Sequence, residues 1–89
     1  MASRRKLKKN VNYIVGELFT ECLINQYFVP GTDEAKANEI MGNILMVQDE
    51  FLSRISHTEP GNVKTFYKKF REDFNLKINR IVDEIGKLN

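Results

Sequence analysis

Residues 40–55 read IMGNILMVQDEFLSRI, and this stretch decides the fold. One set of its apolar residues recurs at steps of three and four, as on a single stripe of an α-helix. A second set lies about 100° around the same helix. The first set is Ile40, Ile44, Val47, Phe51 and Ile55, and the second is Met41, Leu45 and Leu52. Two adjoining stripes predict a middle helix that packs against two neighbours.

The segments on either side carry the same helical period and supply those neighbours. The first contains Leu7, Val11, Ile14, Val15, Leu18, Phe19, Cys22 and Leu23. The last contains Val63, Phe66, Tyr67, Phe70, Phe74, Ile78, Ile81, Val82, Ile85 and Leu88. We therefore predict helices over about 3–28, 33–56 and 61–88 within one helical domain, residues 1–89. The aromatic run of the last segment has helical spacing, which favours a core role over a base-stacking platform.

The clearest break in the chain is Val29-Pro30-Gly31-Thr32. Pro30 disfavours helix at the residue before it, and Gly31 permits a turn with positive φ. Thr32 is the expected N-cap of the second helix. So short a connection returns the second helix antiparallel to the first. The sequence thus predicts an all-α fold, an up-down-up antiparallel three-helix bundle with long helices.

Composition restricts the cellular setting. The chain has 89 residues, 42% hydrophobic and 29% charged, and its one cysteine excludes an intrachain disulfide. No apolar run is long enough to span a membrane. The basic start superficially imitates a signal peptide, but Asn10, Asn12, Gly16 and Glu17 interrupt the apolar region that should follow. We expect a cytoplasmic protein with no transmembrane segment.

The net charge of +2 hides a segregation of charge along the chain. Residues 1–10 carry five basic groups and no acid, residues 11–60 carry eight acids against two bases, and residues 61–89 carry seven bases against four acids. In an up-down-up bundle the start of the first helix, the end of the second and the start of the third meet at one end. The candidate anion or partner contacts there are Arg4, Arg5, Lys6, Lys8, Lys9, Arg54, Lys64, Lys68, Lys69 and Arg71.

Three interpretations of this basic end remain open. In the first, it contacts nucleic acid phosphates. In the second, it contacts an acidic protein or an anionic membrane surface. In the third, it is solvated and partly neutralised by Asp49, Glu50 and Glu59. The small net charge does not favour nucleic acid. The long antiparallel helices also differ from a helix-turn-helix reader, whose recognition helix is short and steeply set.

Some apolar residues of the first helix lie opposite its main stripe, and these form a candidate oligomer interface. They are Tyr13, Ile24, Tyr27 and Phe28. In one interpretation Tyr27 and Phe28 belong to a fraying end that folds over the base of the bundle. In the other, the four residues form a second contact surface, most simply that of a homodimer.

Catalytic chemistry is not indicated. With one histidine and one cysteine, and no Glu-x-x-His pair, the chain offers no metal site. Glu17 and Glu21, one helical turn apart, are read as solvated acids. Cys22 lies in the apolar stripe of the first helix, as a structural thiol does. No phosphate-binding glycine loop or nucleophile elbow is present. We therefore expect no catalytic residue, no metal and no cofactor.

The opening of the chain resembles small uncharacterised all-helical bacterial proteins. The residues that carry this resemblance are Arg5-Lys6-Leu7-Lys8-Lys9, Asn12, Ile14, Glu17-Leu18-Phe19 and Glu21-Cys22. The resemblance implies a helical fold and attaches no activity, cofactor or site residue. Taken together, these observations predict a non-catalytic protein-interaction or regulatory module that pairs with itself or with another protein. The alternative is a nucleic-acid-associated protein that uses the basic end.

Overall fold

A computed structural model describes residues 4–57 and 63–88. In these residues the chain forms three α-helices and no strand: α1 is Arg4–Phe28, α2 is Glu34–Ser56 and α3 is Val63–Gly86. The molecule is elongated, with extents of 50 × 19 × 17 Å. The predicted all-α bundle of three long helices is confirmed. The predicted helix starts at residues 3 and 61 lie outside the described residues.

Polar contacts between helices show how they run. Gln26 on α1 donates to Asn38 on α2 at 3.1 Å, and Gln48 on α2 donates to Asn12 on α1 at 3.0 Å. Later residues of α1 therefore meet earlier residues of α2, as antiparallel helices require. Arg54, near the end of α2, meets Asp73 in α3 at 2.8 Å. The bundle runs up-down-up, and α1 contacts α2 most and α3 least.

The turn between α1 and α2 forms as expected, but its cap is a different residue. Gly31 has a φ of 85°, the left-handed region that glycine adopts without strain. The N-cap of α2 is Asp33, whose side chain accepts a hydrogen bond from the Lys36 backbone N–H at 3.1 Å. The prediction of Thr32 as the cap is wrong. Its hydroxyl instead donates back to the Val29 carbonyl at 3.0 Å, closing the turn.

The last helix ends earlier than predicted. α3 stops at Gly86, and the Lys87 and Leu88 N–H groups bond the carbonyls three residues before them. Glycine is a poor helix former, and such tight bonds satisfy the last carbonyls of a fraying turn. Leu88 nevertheless remains buried and closes the core at this end.

The core is centred on Phe51 of α2. The first predicted stripe of α2 is entirely buried, as are Val11 and Val15 of α1. The Phe51 ring meets the rings of Phe70 and Phe74 edge-on, at centroid distances of 5.2 and 5.1 Å. Edge-to-face aromatic pairs of this kind add about 0.5–1.5 kcal/mol to the burial of their area. The aromatic residues at the centre of α3 are thus core residues.

Two residues assigned to the core by their periodicity are about half exposed. Leu45 is the member of the second α2 stripe that is turned farthest from the first stripe. Val82 follows Asn75 by seven residues and shares its face, and Asn75 lines an open groove between α3 and α1. Because α1 and α3 contact each other least, that flank of α3 is not fully covered.

Candidate interaction surfaces

The side of α1 that faces away from the bundle exposes large apolar residues. Tyr13 is 68% exposed, Tyr27 73%, Phe28 79% and Ile24 43%. On the opposite side of the same helix Val11, Val15 and Cys22 are buried and complete the core. Tyr13, Tyr27 and Phe28 therefore add little to the packing of the bundle, and Ile24 is only partly covered by it.

The course of α1 separates the two interpretations of these residues. The helix continues without interruption to Phe28, and the Val29 N–H still bonds the Asn25 carbonyl at 3.2 Å. Tyr27 and Phe28 are thus held in regular helix and point into solvent. The interpretation in which a frayed end folds over the base of the bundle is wrong.

A shallow depression lies along the middle of this exposed side. Its floor contains Gly16 and Thr20, its two ends are Tyr13 and Ile24, and the carboxylates of Glu17 and Glu21 border it. We call the line Tyr13, Gly16, Thr20, Ile24 and Tyr27 the outer stripe of α1. At 100° per residue its members fall within an arc of about 80°.

Gly16 has no packing role inside the chain. A Cβ placed on it would meet no atom within 4 Å, so no neighbouring helix requires a glycine there. A glycine in a helix interior costs up to about 1 kcal/mol relative to alanine. Neither Gly16 nor Thr20 was predicted as a site residue, because small residues carry no apolar signal. Their spacing between exposed apolar residues could have revealed them.

The inward side of α1 holds a buried cysteine and a buried asparagine. Burial, with a smaller effect from the nearby Glu21 carboxylate, raises the pKa of the Cys22 thiol above its ordinary value. A thiol held protonated in this way is a poor nucleophile. Asn25, the one polar residue in the apolar stripe, is also buried, and its amide donates to the Glu21 carbonyl at 2.8 Å.

The basic residues predicted to share one end lie on the N-terminal halves of α1 and α3 and near the end of α2. Leu7 of α1 lines the same groove as Tyr67 and Arg71 of α3, so the N-terminal halves of the two helices are neighbours. The side chains of Arg4, Arg5, Lys6, Lys8 and Lys9 are exposed, as are those of Lys64, Lys68, Lys69 and Arg71. The basic first turn of α1 is helical from Arg4 and contains no acid to offset the helix dipole.

Arg54 differs from the rest of this basic group. Its guanidinium lies 2.8 Å from Asp73 and 3.7 Å from Glu50, and it stacks over the Phe51 ring at 4.9 Å. These contacts tie α2 to α3 and leave Arg54 less available to an external anion than the exposed lysines. Of the acids expected to neutralise this end, Glu50 does pair with Arg54, whereas Glu59 lies outside the described residues.

No reactive constellation forms among the described residues. None of their His, Cys, Asp and Glu side chains come together in a group of three that could hold a metal ion. Cys22 lies beside the first half of α2, while His57 follows its end, about 25 Å away along the axis. The His57 ring Nδ1 lies 2.8 Å from the Ser53 carbonyl. No helix in this described part of the chain has the length and apolar character needed to cross a membrane.

Comparisons with known protein families, curated proteins and solved structures find no match to this chain. The resemblance to small bacterial helical proteins therefore stays a prediction.

Proposed function

We propose that this chain is a non-catalytic interaction module, acting in the cytoplasm, that contacts a protein partner through the exposed side of α1. The observation that carries the proposal is the exposure of Tyr13, Ile24, Tyr27 and Phe28 on a helix whose other side completes the core. Clustered apolar side chains on a small soluble domain are typical of a binding surface.

The kinds of residue on this side support the proposal. Tyrosine and phenylalanine are enriched at the centres of protein interfaces, where their burial supplies much of the affinity. Tyrosine also keeps a hydroxyl that can remain in water or find a partner at the rim. Covering one such ring contributes about 1.5–3 kcal/mol. In contrast, the one thiol is buried with a raised pKa, which makes it a poor nucleophile.

Site-specific photocrosslinking in cells tests the proposal without knowledge of the partner. A photoreactive amino acid replaces Tyr27 in one variant and Lys36 in another. Both positions are exposed, but Lys36 lies on α2 in an ion pair with Glu39 at 3.7 Å. We expect one discrete adduct at position 27 that is absent at position 36. Equal or absent adducts at the two positions would contradict an interaction surface on α1.

A second candidate function is nucleic acid association through the basic end. The observation that favours it is the meeting of the N-terminal halves of α1 and α3 at one end, with nine exposed lysine and arginine side chains. Each neutralised phosphate makes affinity depend on salt. Titration against generic DNA and RNA at 50 and 200 mM salt tests it. We expect binding that weakens steeply with salt if this function is real. Binding that is absent or indifferent to salt removes it.

A further inference from the structure

We propose that the partner of the outer stripe of α1 is a second copy of this chain, packed antiparallel about a two-fold axis at Thr20. This inference rests on the proposed function and specifies its partner. It is carried by three observations: the symmetry of the stripe, the vacant space over Gly16, and the charges at the two ends of α1.

The outer stripe is the same when read from either end. From Tyr13 to Tyr27 its steps are three, four, four and three residues, so Thr20 is its exact middle. In a two-fold interface, when residue i contacts residue j, residue j contacts residue i. Antiparallel pairing about Thr20 therefore places Tyr13 against Tyr27 of the second copy and Thr20 against Thr20. A heterologous partner places no such requirement on the spacing.

The same symmetry gives Gly16 a role. Gly16 and Ile24 are equally far from Thr20, so Ile24 of each copy lies over Gly16 of the other. Nothing within the chain occupies the space above Gly16, and Ile24 is itself about half exposed. Glycine and a small residue four positions later let two helix backbones approach closely. The two Ile24 side chains would thus fill the two vacant positions.

The ends of the paired helices are complementary in charge. Lys9 continues the outer stripe toward the basic start of α1, while Asp33 and Glu34 begin α2 just beyond its other end. Antiparallel pairing brings Lys9 of one copy to the level of Asp33 and Glu34 of the second. Parallel pairing would instead set the two basic starts side by side. Opposite charges across an interface set its orientation more than its affinity.

Two glutamates beside the outer stripe oppose this pairing and provide a further test of it. Glu17 and Glu21 lie along the same edge of the stripe, and the two-fold axis brings both pairs together. Like charges in that position weaken association. We expect Glu21→Gln to tighten the dimer by roughly threefold, because it removes two of the four carboxylates.

Two glycine substitutions provide the main test. Gly16 and Gly42 both lie inside helices with no atom within 4 Å of an added Cβ. Gly16→Leu and Gly42→Leu should each raise the thermal midpoint of the dilute chain by roughly 3–6 °C. Only Gly16→Leu should weaken the dimer, by about tenfold or more, because the clash occurs twice. Light scattering with sizing over a concentration series measures association. Equal association of both variants and the parent, or a parent that stays monomeric at high micromolar concentration, overturns the inference.

Cysteine crosslinking tests the antiparallel register. A disulfide forms only where Cα atoms come within about 7 Å. Thr20→Cys should crosslink with itself, whereas Ala35→Cys, exposed on α2, should not. Tyr13→Cys and Tyr27→Cys should crosslink when mixed and not when separate. The native Cys22 is fully buried and serves as the unreactive background. Crosslinks in the separate samples, with none between the two different variants in the mixture, would show a parallel arrangement and contradict the proposal.

A charge exchange tests the ends of the interface. Lys9→Glu and Glu34→Lys should each weaken the dimer by roughly threefold to tenfold, and the double variant should recover most of that loss. If the loss of dimer affinity in the double variant equals the sum of the two single losses, Lys9 and Glu34 do not pair across the interface.

The two proposals fail in different ways. A photocrosslinked adduct at position 27 with twice the mass of the chain agrees with both. An adduct of another mass, together with a monomeric purified chain, overturns the second copy as partner and leaves the interaction surface standing.

Discussion

Two groups of aromatic residues in this molecule have opposite surroundings. Phe51, Phe70 and Phe74 lie at the centre of the bundle, whereas Tyr13, Tyr27 and Phe28 point from α1 into solvent. The inner group is all phenylalanine, without a polar atom to satisfy. The outer group contains two of the three tyrosines in the chain. Aromatic content therefore does not locate the core, whereas the side of a helix that faces its neighbouring helices does.

The largest expected effect is on the free energy of unfolding, when a phenylalanine of the inner group is truncated. Phe51→Ala should lower the free energy of unfolding by about 3–5 kcal/mol, since it removes a fully buried ring and leaves a cavity. Phe28→Ala, at a residue 79% exposed, is the matched control and should change it by less than about 0.5 kcal/mol. Urea denaturation of the dilute chain measures both. Similar losses in the two variants would contradict the contrast between the groups.

A smaller effect on the free energy of unfolding is expected from ionisation of Cys22, on the inward side of α1. Its pKa is raised in the folded chain, so above the ordinary thiol pKa of about 8.5 the unfolded state binds fewer protons than the folded state. Stability should then fall with rising pH by up to about 1.4 kcal/mol per unit until the folded thiol also ionises. Below about pH 8 this contribution should be constant.

Comparison with Cys22→Ala isolates this effect, because every other titrating group is common to the parent and the variant. The difference in unfolding free energy between parent and variant, measured from pH 7 to pH 10, should narrow above about pH 8.5. A difference that stays constant over this range would mean that Cys22 is as accessible as in the unfolded chain.

The smallest expected effect on stability is that of Tyr13→Ser. Tyr13 is 68% exposed, so the unfolding free energy of the dilute chain should change by less than about 0.5 kcal/mol. The same substitution should still reduce the adduct formed at position 27 by the photocrosslinking variant. A destabilisation above about 1 kcal/mol would place Tyr13 in the packing of the bundle instead of in a contact surface.

Helical periodicity predicted the three helices, and the short connections predicted their antiparallel order. The sequence-based predictions failed where several positions satisfied one rule equally well. Thr32 and Asp33 are both good caps, and the geometry of the turn selected Asp33. Val82 follows the helical spacing of the core residues of α3, but the interface between α1 and α3 is too sparsely packed to cover it.

The candidate surface was predictable only in part. Tyr13, Ile24, Tyr27 and Phe28 were recognised because large apolar residues on the wrong side of a helix are conspicuous. Gly16 and Thr20 between them were not, because a small residue shows a role only when the space around it is known. The ion pairing of Arg54 with Asp73 likewise depends on how α2 and α3 align, which charge counts along the chain do not contain.

The three helix–helix interfaces differ in how densely they are packed, and this difference predicts an order of folding. The α1–α2 hairpin has the densest contacts and a short turn, so it can form with little loss of chain entropy. α3 adds its phenylalanines to a hairpin that is already aligned. We expect pulse-labelled amide exchange to protect the α1–α2 hairpin before α3, and native-state exchange to open α3 at a lower free energy than α2. Simultaneous protection of all three helices would instead show that the bundle folds as a single unit.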